Sequence, residues 1–163
     1  MATLDRGGIA VNAHLFLRRV GLMVRREIER LNRHYDFADP DLCGACGIAS
    51  WTLHKILGHL SIQNEIVMGH VDGDEDADHV WLEVPSILAE PSILDVTATQ
   101  FGITPLVVLA PLSDPLTRRF APRLRGKAVL KDFREWGSES PWFYKKDLEK
   151  IVHKTLLAVS EAA

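Results

Sequence analysis

The sequence has little of what marks several large classes of protein. No apolar run approaches the roughly 20 residues that a membrane-spanning helix needs, so no transmembrane segment is predicted. The net charge is −3 and the pI about 6.1, so the basic excess typical of nucleic-acid-binding proteins is missing. The first residues, Met1 to Arg6, lack the basic and then apolar blocks of a secretory signal. We therefore expect a cytoplasmic protein, with signal-independent export left open.

Cysteine is also scarce. The chain has two cysteines, Cys43 and Cys46. A secreted disulfide scaffold needs more cysteines at wider spacing, so these two are not its framework. With 163 residues, 47% of them hydrophobic, the chain can bury a core without disulfides or metals. No internal repeat or low-complexity linker interrupts it, so we predict one domain over residues 1–163.

Hydrophobic periodicity predicts helices at both ends of the chain and a sheet in the middle. The predicted helices cover about Val11–Tyr35, Cys46–Leu60 and Tyr144–Val159, and the predicted strands about Glu65–Val71, His79–Val84, Ser92–Val96 and Pro105–Ala110. The apolar stripe of the first helix contains Leu15, Leu17, Val20, Val24, Ile28 and Leu31. Its arginines, Arg25 among them, are interpreted as a solvated face. The segment Pro111–Gly137, rich in proline and arginine, gives no clear prediction.

These elements predict an α+β fold in which the helix that begins at Cys46 packs against an antiparallel sheet. The second strand alternates, which places His79, Trp81 and Glu83 on one face. Asp95 lies sixteen positions beyond His79, a spacing that suits adjacent antiparallel strands joined by a short connection. The fold would therefore bring a thiol, an imidazole and a carboxylate together.

This order of residues predicts a thiol active site. A thiol with a pKa near 8.5 is only about one part in thirty ionised at neutral pH, and the thiolate is the nucleophile. The positive end of a helix favours ionisation of Cys46, and an imidazolium at His79 would favour it further. Asp95 would accept a hydrogen bond from the second ring nitrogen of His79 and fix its tautomer. We therefore predict Cys46 as nucleophile, His79 as base and Asp95 as the residue that orients the base.

Two segments resemble known cysteine enzymes. The run from Cys43 to Ser50, Cys-Gly-Ala-Cys-Gly-Ile-Ala-Ser, is similar to the papain-family active-site helix, where the second cysteine of a Cys-Gly-Ser-Cys run is the nucleophile. The strand His79–Val84, followed by Asp95-Val96-Thr97, resembles the transglutaminase-like core, with its His-Ala-Trp-x-Glu-Val strand and then an Asp-x-Thr strand. The resemblance covers about Leu42–Phe101, roughly a third of the chain.

The resemblance implies a papain-like or transglutaminase-like hydrolase or acyltransferase with the same triad of Cys46, His79 and Asp95. It implies a protein or peptide substrate attacked at an amide or glutamine, with no cofactor or metal. The net charge and the lack of a long apolar run predict no nucleic-acid or membrane partner. Papain-like proteases carry an oxyanion-hole glutamine six residues before the nucleophile, where this chain has Pro40. The backbone N–H of Cys46 can still donate to an oxyanion. Residues flanking the predicted site are Cys43, Trp81 and Gln100.

Other interpretations stay open from the sequence. The fold could serve as a non-catalytic interaction module with an inert Cys46, or Cys43 and Cys46 could form a redox pair or bind a metal with His54 and His59. The alternating acids of the loop 72–78, with Glu83 in the twelfth place, suggest a calcium loop. However, that loop needs glycine in sixth place, where Ala77 stands, which favours a solvated loop. The basic stretch 118–131 is interpreted as a solvated face, or as a surface that attracts an acidic substrate.

Overall fold

The computed structural model of the protein describes residues 6–34, 42, 44–85, 90–131 and 143–161. The helices are α1 (Arg6–His34), α2 (Cys46–His59), α3 (127–131) and α4 (Phe143–Ser160). The strands are β1 (Glu65–Val71), β2 (His79–Val84), β3 (Ser92–Asp95), β4 (Val108–Pro111) and β5 (Phe120–Arg125), with short 3-10 helices at Ala98–Phe101 and Pro115–Arg119. The chain is therefore an α+β protein, as predicted. None of the described helices is long and apolar enough to cross a membrane.

The strands form one antiparallel sheet in the order β4-β3-β2-β1-β5. The predictions for β1 and β2 are confirmed to the residue, and β3 ends one residue earlier than predicted. The fourth strand was predicted over 105–110 but runs over Val108–Pro111. Of the two apolar residues before it, Leu106 is 51% exposed and Val107 is buried. Val107 packs against α1 at Gly21, where an added Cβ would lie 2.9 Å from the valine side chain.

Strand β5 lies in the segment Pro111–Gly137, for which hydrophobic periodicity made no clear prediction. It pairs with β1 at the edge of the sheet, and the register shifts between Met68 and Gly69. At this point the β5 backbone lies so close to β1 that a Cβ on Gly69 would be 2.0 Å from the carbonyl oxygen of Ala121. Most β5 side chains are exposed, so the strand lacks the apolar alternation that reveals β1 and β2.

The core has two parts, one on each face of the sheet. On one face α1, α2 and α4 pack against alternate strand residues; the strand contributors are Ile66, Met68, Val80, Leu82, Val84 and Leu94. On the other face a smaller cluster contains Val67, Val71, Trp81, Ile93, Ala98, Ile103, Val108, Ala110 and Phe120. Because side chains alternate along a strand, His79 and Trp81 point towards this second cluster. The centre of the sheet is therefore buried on both sides.

The core stripe predicted for α1 is confirmed in part. Five of its six residues are buried, namely Leu17, Val20, Val24, Ile28 and Leu31. The prediction for Leu15 is wrong, since this side chain is 61% exposed. At about 100° per residue, two positions place Leu15 roughly 200° around the helix from Leu17. The helix also starts earlier than predicted, at Arg6.

Candidate active site

Cys46 is the first residue of α2, as predicted. Ala45 precedes it as N-cap and provides no side-chain hydrogen bond, so the first-turn N–H groups of the helix are left for other partners. Cys46 is a free cysteine, and the residue is 9% exposed. Its position puts the sulfur at the positive end of the helix dipole, where a negative charge is favoured.

His79 and Asp95 form a buried pair across β2 and β3. His79 Nε2 lies 2.6 Å from Asp95 Oδ2, and neither side chain is exposed. The other carboxylate oxygen, Oδ1, accepts from the Thr97 N–H at 2.7 Å and from the Thr97 hydroxyl at 3.0 Å. Since a carboxylate only accepts, Nε2 of His79 carries a proton and Nδ1 is the nitrogen left for chemistry. Asp95 thus orients the ring and also closes a local turn with Thr97.

The third predicted residue lies beside this pair. Burial of the His79 ring opposes its charged form, but the charge and hydrogen bond of Asp95 and smaller contributions from Cys46 outweigh burial, raising the pKa of His79 from 6.5 to about 9. Cys46 acts on the ring through both a hydrogen bond and charge, so the thiol is next to the imidazole. The structure therefore brings Cys46, His79 and Asp95 together, with His79 fully buried.

Aromatic side chains surround the imidazole. The ring of Trp81 is stacked with it at a centroid distance of 6.0 Å, and Phe101 meets it edge-on at 4.8 Å. Phe120 lies slightly farther away, at 6.3 Å. Trp81 is fully buried, and its Nε1 has no hydrogen-bond partner among the residues described. These rings exclude water from one side of the histidine, which strengthens its interaction with Asp95.

Of the predicted flanking residues, Gln100 contacts the site directly. It lies on the 3-10 helix Ala98–Phe101, and its side-chain Nε2 is 3.3 Å from Nδ1 of His79. The same nitrogen donates to the Thr97 carbonyl oxygen at 3.0 Å. Trp81 flanks the site through its ring. Cys43 and Pro40 lie outside the described residues.

Arg25 supports the site in a way that the sequence did not reveal. The interpretation of this arginine as solvated is wrong, because it is 2% exposed. Its guanidinium donates to the Val96 carbonyl oxygen at 2.7 Å and to the Thr99 hydroxyl at 3.0 Å, and also to Glu29 at 2.8 Å. It thereby ties α1 to the segment between Asp95 and Gln100. Arg25 lies about 80° around the helix from Leu17, at the border of the apolar stripe. That border position is the feature of the sequence that could have indicated its burial.

The acidic loop and the basic stretch turn out to pair with each other. Arg119 binds Asp72 through two nitrogens, at 2.6 and 2.5 Å, and these hydrogen bonds lower the pKa of Asp72. Arg123 binds Asp78 at 2.7 Å. Arg125 on β5 binds Glu83 on β2, the residue in the twelfth place of the suggested calcium loop, at 2.7 Å. Part of the basic stretch is therefore neutralised within the molecule.

The described residues contain no cluster of three or more His, Cys, Asp or Glu side chains that could hold a metal ion. Of the two histidines considered as ligands, His54 donates from Nδ1 to Oδ1 of Asn64 at 2.8 Å. Comparisons of the chain with protein-family models, with curated proteins and with solved structures gave no match. The functional argument therefore starts from the buried Cys46-His79-Asp95 cluster itself.

Proposed function

We propose that this protein is a thiol-dependent acyl-transfer enzyme that acts on an amide bond, built on a papain-like or transglutaminase-like core. The observation that carries the proposal is the buried 2.6 Å His79–Asp95 pair beside Cys46 at the start of α2. A carboxylate, an imidazole and a thiol in this order are the parts that thiol acyl chemistry requires.

The proposed reaction uses Cys46 as the nucleophile and His79 first as the base and then as the acid. The proton of the Cys46 thiol passes to Nδ1 of His79, where the raised pKa of the ring holds it, and the thiolate sulfur attacks the amide carbonyl carbon. The carbonyl oxygen becomes negative and accepts a hydrogen bond from the Cys46 N–H at the helix end. His79 then protonates the departing amine, which leaves a thioester on Cys46. Water or a second amine attacks this thioester and regenerates the thiol.

The arrangement of elements supports the core type. Cys46 opens a helix that packs on β2, and His79 and Asp95 stand on neighbouring antiparallel strands. This is the order that the sequence resemblance implies for a transglutaminase-like enzyme. The short interval between Cys46 and His79 favours that core over a two-lobed protease. Whether water or an amine accepts the acyl group depends on the substrate and is decided by experiment.

The first test measures the pH dependence of Cys46 alkylation by peptide mass spectrometry. If His79 activates the thiol, the wild type should be alkylated at Cys46 well below pH 7, and His79→Ala should need alkaline pH. Two variants serve as controls: Cys43→Ser removes the neighbouring cysteine, and His59→Ala removes an exposed histidine. Both should behave like the wild type. Equal alkylation profiles in the wild type and His79→Ala would leave an inert module as the better interpretation.

The second test looks for the acyl-enzyme. Glutamine-containing peptides and simple amides are incubated with the wild type and with Cys46→Ser, with and without a primary amine. Intact-protein mass spectrometry should detect an acyl adduct in the wild type alone. Released acid indicates a hydrolase or deamidase, and a new amide indicates a transferase. Elemental analysis of the purified protein checks the metal-binding alternative directly.

A further inference from the structure

The side-chain amide of Gln100 has a fixed orientation. Its nitrogen lies 3.0 Å from the Thr97 carbonyl oxygen, which can only accept a hydrogen bond. The atom facing Thr97 is therefore the NH₂ group rather than the amide oxygen. One of its hydrogens goes to Thr97, and the second is available for Nδ1 of His79 at 3.3 Å.

This contact favours one protonation state of His79. With Nε2 protonated towards Asp95, Nδ1 can accept from Gln100 only while it has a free lone pair, that is, while the ring is neutral. A proton on Nδ1 would face an N–H donor instead of an acceptor. The ionisable groups that act on the ring are Asp95 on β3 and Cys46 on α2, and both favour the charged form. Gln100 on the 3-10 helix opposes them.

We propose that Gln100 restrains the nucleophile: by donating to Nδ1 of His79 it stabilises the neutral thiol and imidazole against the thiolate–imidazolium pair. The inference rests on the proposed thiol chemistry and adds a regulating residue to it. Cys46 and Gln100 compete for the same ring nitrogen. When the proton moves from Sγ of Cys46 to Nδ1, the Gln100 N–H loses its acceptor. A substrate carbonyl that draws this N–H away would therefore release the restraint as it binds.

The proposal predicts that His79 binds its proton more tightly when Gln100 is replaced. A hydrogen bond of ordinary net strength shifts a two-state balance about three- to tenfold. Gln100→Met keeps the length of the side chain and removes its donor. His79 in this variant should stay protonated to a pH higher by about half to one unit than in the wild type. Cys46 alkylation at pH 5–6 should not change, because the ring is charged there in both proteins. A purely structural role of position 100 would leave the pKa of His79 unchanged or lower it.

The experiment compares the wild type, Gln100→Met and the matched control Gln63→Met, whose glutamine is exposed. Alkylation rates are read by mass spectrometry, and His79 protonation by long-range ¹H–¹⁵N NMR. An unchanged or lower pKa of His79 in Gln100→Met, together with a wild-type alkylation rate that depends on His79, would overturn this inference and leave the proposed function intact. If the alkylation rate of Cys46 did not change in His79→Ala, both this inference and the proposed function would be overturned.

A second measurement avoids mutation at this position. In the wild type, the NMR signal of one side-chain amide proton of Gln100 should change its chemical shift as His79 titrates. The reason is that the proton loses its acceptor when Nδ1 is protonated. The side-chain amide protons of Gln63 give the baseline. A Gln100 amide signal that ignores the His79 titration would contradict the proposal even if the variant failed to fold.

Discussion

At the scale of single residues, Asp95 determines how His79 can react. Its carboxylate accepts from Nε2 and accounts for the largest contributions that raise the pKa of His79 to about 9. In Asp95→Asn the charge is lost, and the new amide N–H can donate to Nε2, which selects the wrong tautomer. We expect the pKa of His79 to fall well below 9 and the rate of acyl transfer to drop by about 10²–10⁴. NMR titration of His79 and single-turnover kinetics measure the two effects.

The matched control is Asp114→Asn. Asp114 also accepts a backbone N–H, from Leu116 at 2.8 Å, but it caps the 3-10 helix Pro115–Arg119. This variant should leave both the His79 titration and the rate unchanged. A rate in Asp95→Asn within a few-fold of the wild type would rule out the orienting role of Asp95.

How much of the site the sequence predicts also depends on the kind of residue. The positions of Cys46, His79 and Asp95 follow from the start of a helix and from two adjacent antiparallel strands, and the structure places them together. The hydrogen bond from Gln100 to His79 depends on how a 3-10 turn follows Asp95, which periodicity does not specify. Arg25 was misinterpreted because a helical pattern assigns a border residue to neither face, and tertiary packing decided its burial.

At the scale of secondary structure, β1 and β2 were predictable because their burial gives clear apolar patterns bounded by turns. Strand β5 was not, because an edge strand with exposed arginines has no such period. Its place is set instead by tertiary contacts: backbone pairing with β1 and ion pairs from Arg119, Arg123 and Arg125 to acids outside β5. The close backbone approach at Gly69 is a consequence of this pairing.

That approach gives a prediction for the edge of the sheet. Gly69→Ala places a methyl group against the Ala121 carbonyl, a backbone atom that cannot rotate away. We expect the free energy of unfolding to fall by about 1–3 kcal/mol, with β5 as the affected strand. Urea denaturation gives the loss in stability, and amide hydrogen exchange identifies the strand.

Gly58→Ala is the matched control, since its Cβ would meet no atom within 4 Å and its residue lies in α2. Because alanine favours a helix over glycine, this variant should be more stable by up to about 1 kcal/mol. If the two alanine variants had the same stability, steric contact with β5 would not be the reason for glycine at position 69.

At the scale of the whole molecule, burial on both faces of the sheet links the protonation of His79 to folding. The pKa of His79 is 6.5 when unperturbed and about 9 in the folded chain. Between these values the folded state binds a proton that the unfolded state does not, so stability must decrease as the pH rises. The contribution is fully present below pH 6.5 and is lost as the pH passes through about 9. At about 1.4 kcal/mol per pKa unit it amounts to roughly 3 kcal/mol.

Urea denaturation between pH 6 and pH 10 tests this directly. The wild type should lose on the order of 3 kcal/mol across this window, whereas His79→Gln should show a much flatter profile because glutamine does not titrate. His59→Gln, which replaces an exposed histidine, should follow the wild type.

Repeating the series in Cys46→Ser separates ionisation of the thiol from that of the ring. Since Asp95 remains in that variant, most of the decrease should persist. A wild-type profile parallel to that of His79→Gln would mean that folding leaves the proton affinity of His79 unchanged. In that case, the buried pair with Asp95 would not hold an imidazolium at neutral pH.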